Sequence, residues 1–247
     1  MRSAEEKAAF KQRYIEARGY WVSFNDGLLE HSPEWLEAYL AYSATPAHTG
    51  PLSARMRELI YVAVDASATH LFKAGLEIHV RIALAAGCAA GELIEVLQIA
   101  TMQGIDSVAV GMTTLIEELA VSGRVLPDTP GAPGAMERYG AQHDTQPEWL
   151  ATMAKLSPAW VVALGDLLET ADRTSRLTAC ERALIRLALA ASPTHLYAEG
   201  VRAETRRALD LGAAPEEIAQ VFQLVAHLGL HACSEGVPAV VQAASEG

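Results

Sequence analysis

Apolar residues recur every three or four positions along most of the chain, the spacing typical of a helix with one buried face. Residues 76–84 and 93–100 show the pattern clearly. We find no segment in which apolar and polar residues alternate convincingly, as they would in a half-buried strand. The hydrophobic pattern therefore predicts an all-α protein.

The second half of the chain repeats the first at an offset of 125 residues. Between Leu52 and Thr114, 22 of 63 aligned pairs are identical and no gap is needed. Such a match exceeds what an Ala-rich composition gives by chance, and it indicates a tandem duplication. We predict a first copy at residues 1–121, a Pro- and Gly-rich linker at 122–140, and a second copy at 141–247.

Turn signals predict the helix boundaries within each copy. In the first copy a helix ends near Ala66, a second runs from about Ala68 to Ala86, Gly87 marks a turn, and a third helix starts near Ala90. In the second copy Pro residues stand at both predicted helix starts, where a missing N–H is tolerated. The corresponding positions there are Ala191, Pro193, Leu211, Gly212 and Pro215.

Composition and charge narrow the class of protein. The 247 residues are 51% hydrophobic, enough to bury a core, and the net charge is -11. An acidic chain is poorly suited to bind a phosphate backbone or an anionic membrane surface. The chain is therefore expected to bind neither nucleic acid nor a membrane.

Cysteine usage and the termini predict a cytoplasmic protein. The three cysteines are widely spaced, so no disulfide framework or zinc ribbon can be drawn from them. The N-terminus is charged and lacks the apolar segment of a secretory signal. The longest uncharged stretch, 218–234, is interrupted by Gln, His and Gly, which favours a buried helix over a membrane span.

The segment from Arg57 to Leu97, with Arg-Glu-Leu-Ile, then His-Val-Arg-Ile-Ala-Leu-Ala-Ala-Gly, then Glu-Leu-Ile-Glu-Val-Leu, resembles the carboxymuconolactone decarboxylase family. That family belongs to the AhpD-like all-helical superfamily. The resemblance covers about 65 residues of the first copy and a similar span of the second. It implies an all-α, AhpD-like helical domain that is present twice.

The resemblance also implies an assembly and excludes one branch of the superfamily. Relatives form trimers or hexamers of single domains, so a two-copy chain is expected to form a homotrimer. The peroxidase branch carries a Cys-x-x-Cys pair shortly before its characteristic His; here those positions are Phe72 and Gly75, and Tyr197 and Gly200 in the second copy. A dithiol peroxidase needs both thiols, so this reaction is excluded.

The resemblance then leaves the decarboxylase-like branch or a non-thiol derivative. We expect a decarboxylase-like lyase that needs no cofactor and acts on a small cyclic or unsaturated carboxylic acid. By resemblance His79 is the general acid that protonates the product carbanion or enolate. Glu58 matches the family's acid in the preceding helix and would orient His79. The second copy has Glu204 and Ala183 at these positions, so the two sites cannot be equivalent.

Four further residues are candidates for binding the substrate. His70 and His195 recur in both copies at a predicted helix N-terminus, which suits a substrate carboxylate. Arg81 is a second candidate to hold that carboxylate, although a surface ion pair explains it equally well. Gln98 lies level with His79 in the predicted hairpin and is expected to be a buried amide.

Two other functions stay open, and one pairing is ambiguous. His195, His227 and His231 have a spacing that a metal ion could use, which would make the second copy a metal-dependent enzyme. The mismatched copies also allow a non-catalytic binding or assembly protein. Across the copies Asp106 corresponds to His231, but a contact of Asp106 with His79 within one hairpin would be misaligned by about 10 Å.

Overall fold

A computed structural model describes residues 2–126, 134, 136, 137, 139 and 147–246 of the chain. Every regular element in these ranges is helical, which confirms the predicted all-α class. The α-helices are α1 (Ala4–Arg18), α2 (Phe24–His31), α3 (Pro33–Thr49), α4 (Ala54–Ala66), α5 (Lys73–Ala85), α6 (Ala90–Thr101), α7 (Gly104–Ser122), α8 (Glu148–Leu156), α9 (Pro158–Arg173), α10 (Ala179–Ala191), α11 (Ala198–Asp210), α12 (Pro215–Ala226) and α13 (His231–Ser245). A short 3-10 helix, His227–Leu230, joins the last two.

The helix bounds repeat along the chain. Helices α4, α5 and α6 begin and end 125 residues before α10, α11 and α12. The left-handed backbone at Leu71 also recurs at Leu196, and that of Gly87 at Gly212. These coincidences agree with the predicted duplication, which remains a prediction. Most of the predicted linker at 122–140 lies outside the described residues.

The helices of the two halves build one common core. The buried cluster combines Leu59 and Ile60 of α4 with Ile185 and Leu187 of α10 and Leu224 of α12, all of them essentially inaccessible to solvent. Each such side chain contributes about 1.5–3 kcal/mol through burial. The two predicted copies are therefore packed as a single body and do not have separate cores.

The predicted start of the second helix is wrong in both copies, and α11 begins at Ala198 and not at Pro193. Helix α5 begins at Lys73 and not near Ala68, because the chain first forms a turn. In that turn Ser67 O accepts hydrogen bonds from the backbone N–H groups of His70 and Leu71, and Phe72 N–H donates to Asp65 O. Leu71 has φ +47°. The turn brings His70 and Phe72 close to the end of α4.

The N-terminal helices of each half cover the last helix of the other half. Helices α1–α3 form a cluster with α13, while α8 and α9 form a cluster with α7. At Gly27 in α2 a Cβ atom would lie 2.5 Å from Val237 of α13, so only glycine permits this close approach. This packing of α1–α3 on α13 places residues of α1 next to the 3-10 helix near the C-terminus.

Two helical stretches, Ala90–Ser122 and Pro215–Ser245, pass a length and composition test for membrane spans. Core helices of soluble proteins pass the same test, so the finding is weak evidence for a membrane. Each stretch comprises two helices in the part of the chain described, α6 with α7 and α12 with α13. Of their most apolar windows, 39% and 22% are buried within the chain. Much of this apolar surface therefore faces outward.

Candidate active site

His79 and Glu58 form a buried pair where α4 packs on α5. Nδ1 of His79 lies 2.7 Å from Oε2 of Glu58, a hydrogen bond with the geometry expected of an imidazole and a carboxylate. The two side chains are only 10% and 13% exposed. The predicted pairing is thus present, because the antiparallel packing of the two helices brings positions 21 residues apart into register.

Aromatic rings surround the His79 imidazole. Tyr61 stacks on it with ring centroids 4.5 Å apart, and Tyr20 meets it edge-on at 6.2 Å. Burial raises the pKa of Tyr61 to about 12, so its hydroxyl keeps its proton at neutral pH. Tyr61 therefore covers one face of the imidazole, and together with Tyr20 it restricts the orientation of the ring.

Arg18 at the end of α1 is a cation that the sequence analysis missed. It donates hydrogen bonds to the hydroxyl of Tyr20 and to the carbonyl of Ser43, both at 3.1 Å. No carboxylate of the described residues pairs with it, and its Nε is buried without a hydrogen-bond partner. Because Tyr20 also contacts His79, Arg18 brings positive charge to the neighbourhood of the imidazole.

A second polar cluster lies beside this pair. Asp65 of α4, His70 of the following turn and His231 of α13 place one ligand atom each within 4.8 Å of one another. Nε2 of His70 lies 2.6 Å from Nδ1 of His231, and the rings are nearly parallel. Residues from both halves of the chain thus meet at this point.

The pKa values of this cluster are shifted by burial. Asp65 is 2% exposed, and burial raises the pKa of its carboxyl to about 7, with Glu58 adding to the rise and His79 opposing it. Burial lowers the pKa of His231 to about 4, and His70 lowers it further. Near neutral pH the His231 imidazole is therefore uncharged.

His227 of the 3-10 helix lies near both the His79–Glu58 pair and the cluster of Asp65, His70 and His231. It is buried among Tyr39, Tyr42 and Tyr61, whose ring centroids lie 5.5–6.3 Å away. Burial lowers the pKa of His227 to about 3, and the nearby Arg18 guanidinium lowers it further. This histidine is a neutral member of the site wall.

The geometry agrees with the comparison with protein families. The family model of carboxymuconolactone decarboxylases matches residues 33–111, which contain Glu58, Asp65, His70 and His79. This part of the chain is therefore similar to the carboxymuconolactone decarboxylase family. No curated protein matches it.

A solved structure is similar to the chain over nearly its whole length. It is a protein from Burkholderia xenovorans LB400, described as a "putative gamma-carboxymuconolactone decarboxylase subunit". The two share 26% sequence identity with a TM-score of 0.90, and the match covers 97% of this chain and 98% of that one. The similarity in fold therefore extends through both halves, beyond the region that the family model matches.

Within this fold, the second half holds a different set of side chains. Nε of Arg186 donates to Oε1 of Glu204 at 3.0 Å, where the first half has Tyr61 and His79. Burial raises the pKa of Glu204, while Arg186 opposes the rise. An ion pair thus replaces the imidazole, as expected from the mismatch between the copies.

Asp106 and His231, which occupy equivalent positions of the repeat, each pair with a histidine of the other half. Nε2 of His195 lies 2.8 Å from Oδ2 of Asp106, and His70 meets His231 in the equivalent way. The sequence analysis considered only contacts within one hairpin and found Asp106 misaligned with His79. It did not include the packing of each half's last helix against the other half, which creates these contacts.

Two predicted substrate-binding residues lie away from the site. The side chain of Arg81 is 78% exposed and approaches Glu77 at 4.0 Å, which corresponds to the surface ion pair considered as the alternative. Gln98 is exposed on α6, so the expected buried amide is wrong. The rotation of α6 turns Val96 and Ile99 inward instead and leaves position 98 outside.

The three histidines proposed as metal ligands do not come together. His195 bonds to Asp106, and His231 bonds to His70. His227 is buried among tyrosines. Of the described residues, the group that could hold a metal contains His231 but neither His195 nor His227. Its carboxylate comes from Asp65, which no spacing pattern singled out.

Proposed function

We propose that the protein is a carboxymuconolactone decarboxylase-like lyase that acts on a small cyclic or unsaturated carboxylic acid. The observation that carries the proposal is the buried hydrogen bond between His79 and Glu58, inside the region matched by the family model. The structural relative described as a decarboxylase subunit supports the same class of reaction.

The chemistry needs one proton donor at a defined position. When the bond to the substrate carboxylate breaks, CO₂ leaves and the electron pair stays on the substrate as a carbanion or enolate. In protonated His79 the Nδ1–H group donates a hydrogen bond to Glu58 and keeps its proton. The proton on Nε2 is the one transferred to the substrate carbon. The Glu58 carboxylate stabilises the imidazolium and fixes the ring orientation.

Arg18 replaces Arg81 as the cation for a substrate carboxylate. It shares the neighbours Tyr20 and Tyr61 with His79, and no described carboxylate neutralises it. A partly buried guanidinium without a counter-charge favours an anion in its vicinity. We therefore assign the recognition of the substrate acid to Arg18, with His79 as the proton donor.

Access to His79 requires a movement of the chain. The His79 side chain is only 10% exposed, and Tyr20 covers one edge of its ring. Tyr20 directly follows Gly19, which ends α1 with φ +84°. We propose that the segment between α1 and α2 opens to admit substrate, after which Tyr20 excludes water from the reacting carbon.

The test is an assay of CO₂ release from gamma-carboxymuconolactone and a panel of related lactone acids and unsaturated acids. We expect turnover by the wild type and a loss of at least about 100-fold in kcat for His79→Ala. The matched control is His195→Ala, which removes a part-buried, carboxylate-bonded imidazole from the other half. This control should keep the wild-type rate.

Two further variants separate the roles. Glu58→Gln should lower kcat with little change in KM, because it alters the proton donor and not the binding of substrate. Arg18→Gln should raise KM more than it lowers kcat. Equal activity of wild type and His79→Ala on every accepted acid would refute the proposal and favour a non-catalytic binding protein.

A further inference from the structure

We propose that Asp65, His70 and His231 form a binding site for one divalent transition-metal ion per chain. One carboxylate and two imidazoles, with their ligand atoms within 4.8 Å of one another, provide three protein ligands and leave coordination positions open. The site is separate from the His79–Glu58 hydrogen bond, and its existence does not depend on the proposed decarboxylation.

The contact between the two histidines favours a cation. Nε2 of His70 and Nδ1 of His231 face each other at 2.6 Å, closer than the usual distance for a hydrogen bond with an N–H donor. Ligand nitrogens on one tetrahedral zinc ion lie about 3.3 Å apart, given bonds of about 2.0 Å. Rotations that separate the rings by less than about 1 Å would place an ion between them.

Asp65 is the independent observation that points to a ligand. Its carboxylate is 2% exposed, and the described residues provide no hydrogen-bond partner for Oδ2. A buried carboxylate oxygen without a partner is energetically unfavourable, and a bound cation removes that cost. Gly75 leaves the necessary room, because a Cβ atom there would lie 2.4 Å from Oδ2.

The donor set selects the class of metal. Imidazole nitrogens bind Zn²⁺, Fe²⁺, Co²⁺ and Ni²⁺ well, whereas Mg²⁺ and Ca²⁺ prefer oxygen ligands throughout. The described part of the site has no thiolate that would favour Cu⁺. Phe72 stacks on the His231 ring with centroids 3.9 Å apart and thereby restricts its orientation.

A hollow on the surface offers a route for the ion. It has a volume of about 500 Å³ and lies beside Phe72, with Glu77 and Glu235 among the residues that line it. Both carboxylates favour the approach of a cation. His70 itself is partly exposed, so the ion need not cross the core to reach its ligands.

The repeat supplies a natural control. At the positions that correspond to Asp65, His70 and His231, the other half has Ala190, His195 and Asp106. His195 and Asp106 form a hydrogen-bonded pair, but Ala190 removes the third ligand. We therefore expect metal at the first site only and no loss of metal from His195→Ala.

The experiment uses the full-length protein after treatment with a chelator. Titration with Co²⁺ should give a saturable visible absorption with one ion per chain, and excess Zn²⁺ should abolish it by displacement. The variants His231→Ala and Asp65→Asn should weaken Co²⁺ binding by roughly 100-fold or more, whereas His195→Ala should bind like the wild type. Zn²⁺ at 100 times its Kd should raise the wild-type Tm by roughly 5–10 °C.

Failure of the proposal would be clear. Stoichiometric Co²⁺ binding that survives both His231→Ala and Asp65→Asn would place the metal elsewhere, and no saturable binding by the wild type would exclude the site. Asp65→Asn keeps the side-chain shape and guards against a variant that merely fails to fold. Because metal content and Tm are measured without substrate, the outcome is independent of whether His79 is catalytic.

Discussion

Two buried histidines of this site differ because of their nearest charges. His79 has the Glu58 carboxylate at 2.7 Å, so a proton on its ring is matched by a negative partner. His227 has no such partner in the described structure and lies near Arg18, whose charge opposes protonation. Residue type alone therefore does not decide which imidazole can act as an acid; the partner does.

The first prediction concerns acid stability. In the folded protein the pKa of His227 is about 3, against an ordinary value of 6.5, so the unfolded chain alone takes up this proton as the pH falls below 6.5. The wild type should lose about 2 kcal/mol of unfolding free energy between pH 7 and pH 5 through this group. The variant His227→Gln has no side chain to protonate here, so its loss of unfolding free energy over the same pH range should be smaller by about 2 kcal/mol.

Urea denaturation at pH 7 and pH 5 measures this difference. The control is His31→Gln, since His31 is exposed at the end of α2. The absolute stability of His227→Gln at pH 7 is not the criterion, because the substitution also alters packing against the tyrosines. Identical pH dependence in wild type and His227→Gln would contradict the buried, neutral state of this histidine.

At the scale of the elements, two side chains hold the halves together in matching ways. Glu95 of α6 accepts hydrogen bonds from the backbone of Arg176 and Leu177, just before α10. At the position 125 residues later, Gln220 of α12 accepts from the backbone of Leu52, just before α4. Each of these side-chain-to-backbone hydrogen bonds fixes how α10 or α4 approaches the other half.

The second prediction tests one of these hydrogen bonds. Gln220→Ala leaves the buried N–H of Leu52 without its acceptor and should lower the unfolding free energy by about 1–3 kcal/mol. Gln98→Ala, on the exposed side of α6, should change it by less than about 0.5 kcal/mol. Equal effects of the two substitutions in a urea titration would show that the hydrogen bond between Gln220 and Leu52 contributes nothing to stability.

At the scale of the whole molecule, exposed apolar side chains lead us to propose self-association. Ile94 and Val110 are 56% and 53% exposed on α6 and α7, and Phe222, Val240 and Val241 are exposed on α12 and α13. These helices are the two stretches that are apolar enough to resemble membrane spans. Contiguous apolar surface on such helices is typical of subunit interfaces.

The third prediction is the oligomeric state. We propose a homotrimer, so light scattering after gel filtration should give a mass three times the 26.4 kDa of the chain. A charge on the exposed apolar face, as in Ile94→Glu combined with Val110→Glu, should shift the mass toward that of the monomer. A monomeric wild type at micromolar concentration would contradict the proposal.

The family match and the site were accessible to sequence reasoning to different degrees. His79 and Glu58 were found because the motif that carries them lies within one 65-residue stretch of the chain. Arg18 and Asp65 were missed because neither belongs to a pattern. An Asp within the apolar helix α4 was a signal that could have been used, since ionisable residues are seldom buried without a purpose.

By itself, the sequence determined the helical class, the 125-residue repeat in its residues and, of the boundaries predicted for α4–α6 and α10–α12, all except the starts of α5 and α11. Hydrophobic periodicity and turn residues act over a few neighbouring positions, which is why these features could be predicted. The tertiary structure alone decided that the halves share one core and exchange their terminal helices. It therefore decided that His231 meets His70 across 161 residues, and that Gln98 and Arg81 lie outside. Contacts between distant segments depend on how helix faces rotate and pack, and a single chain's local pattern does not encode that rotation.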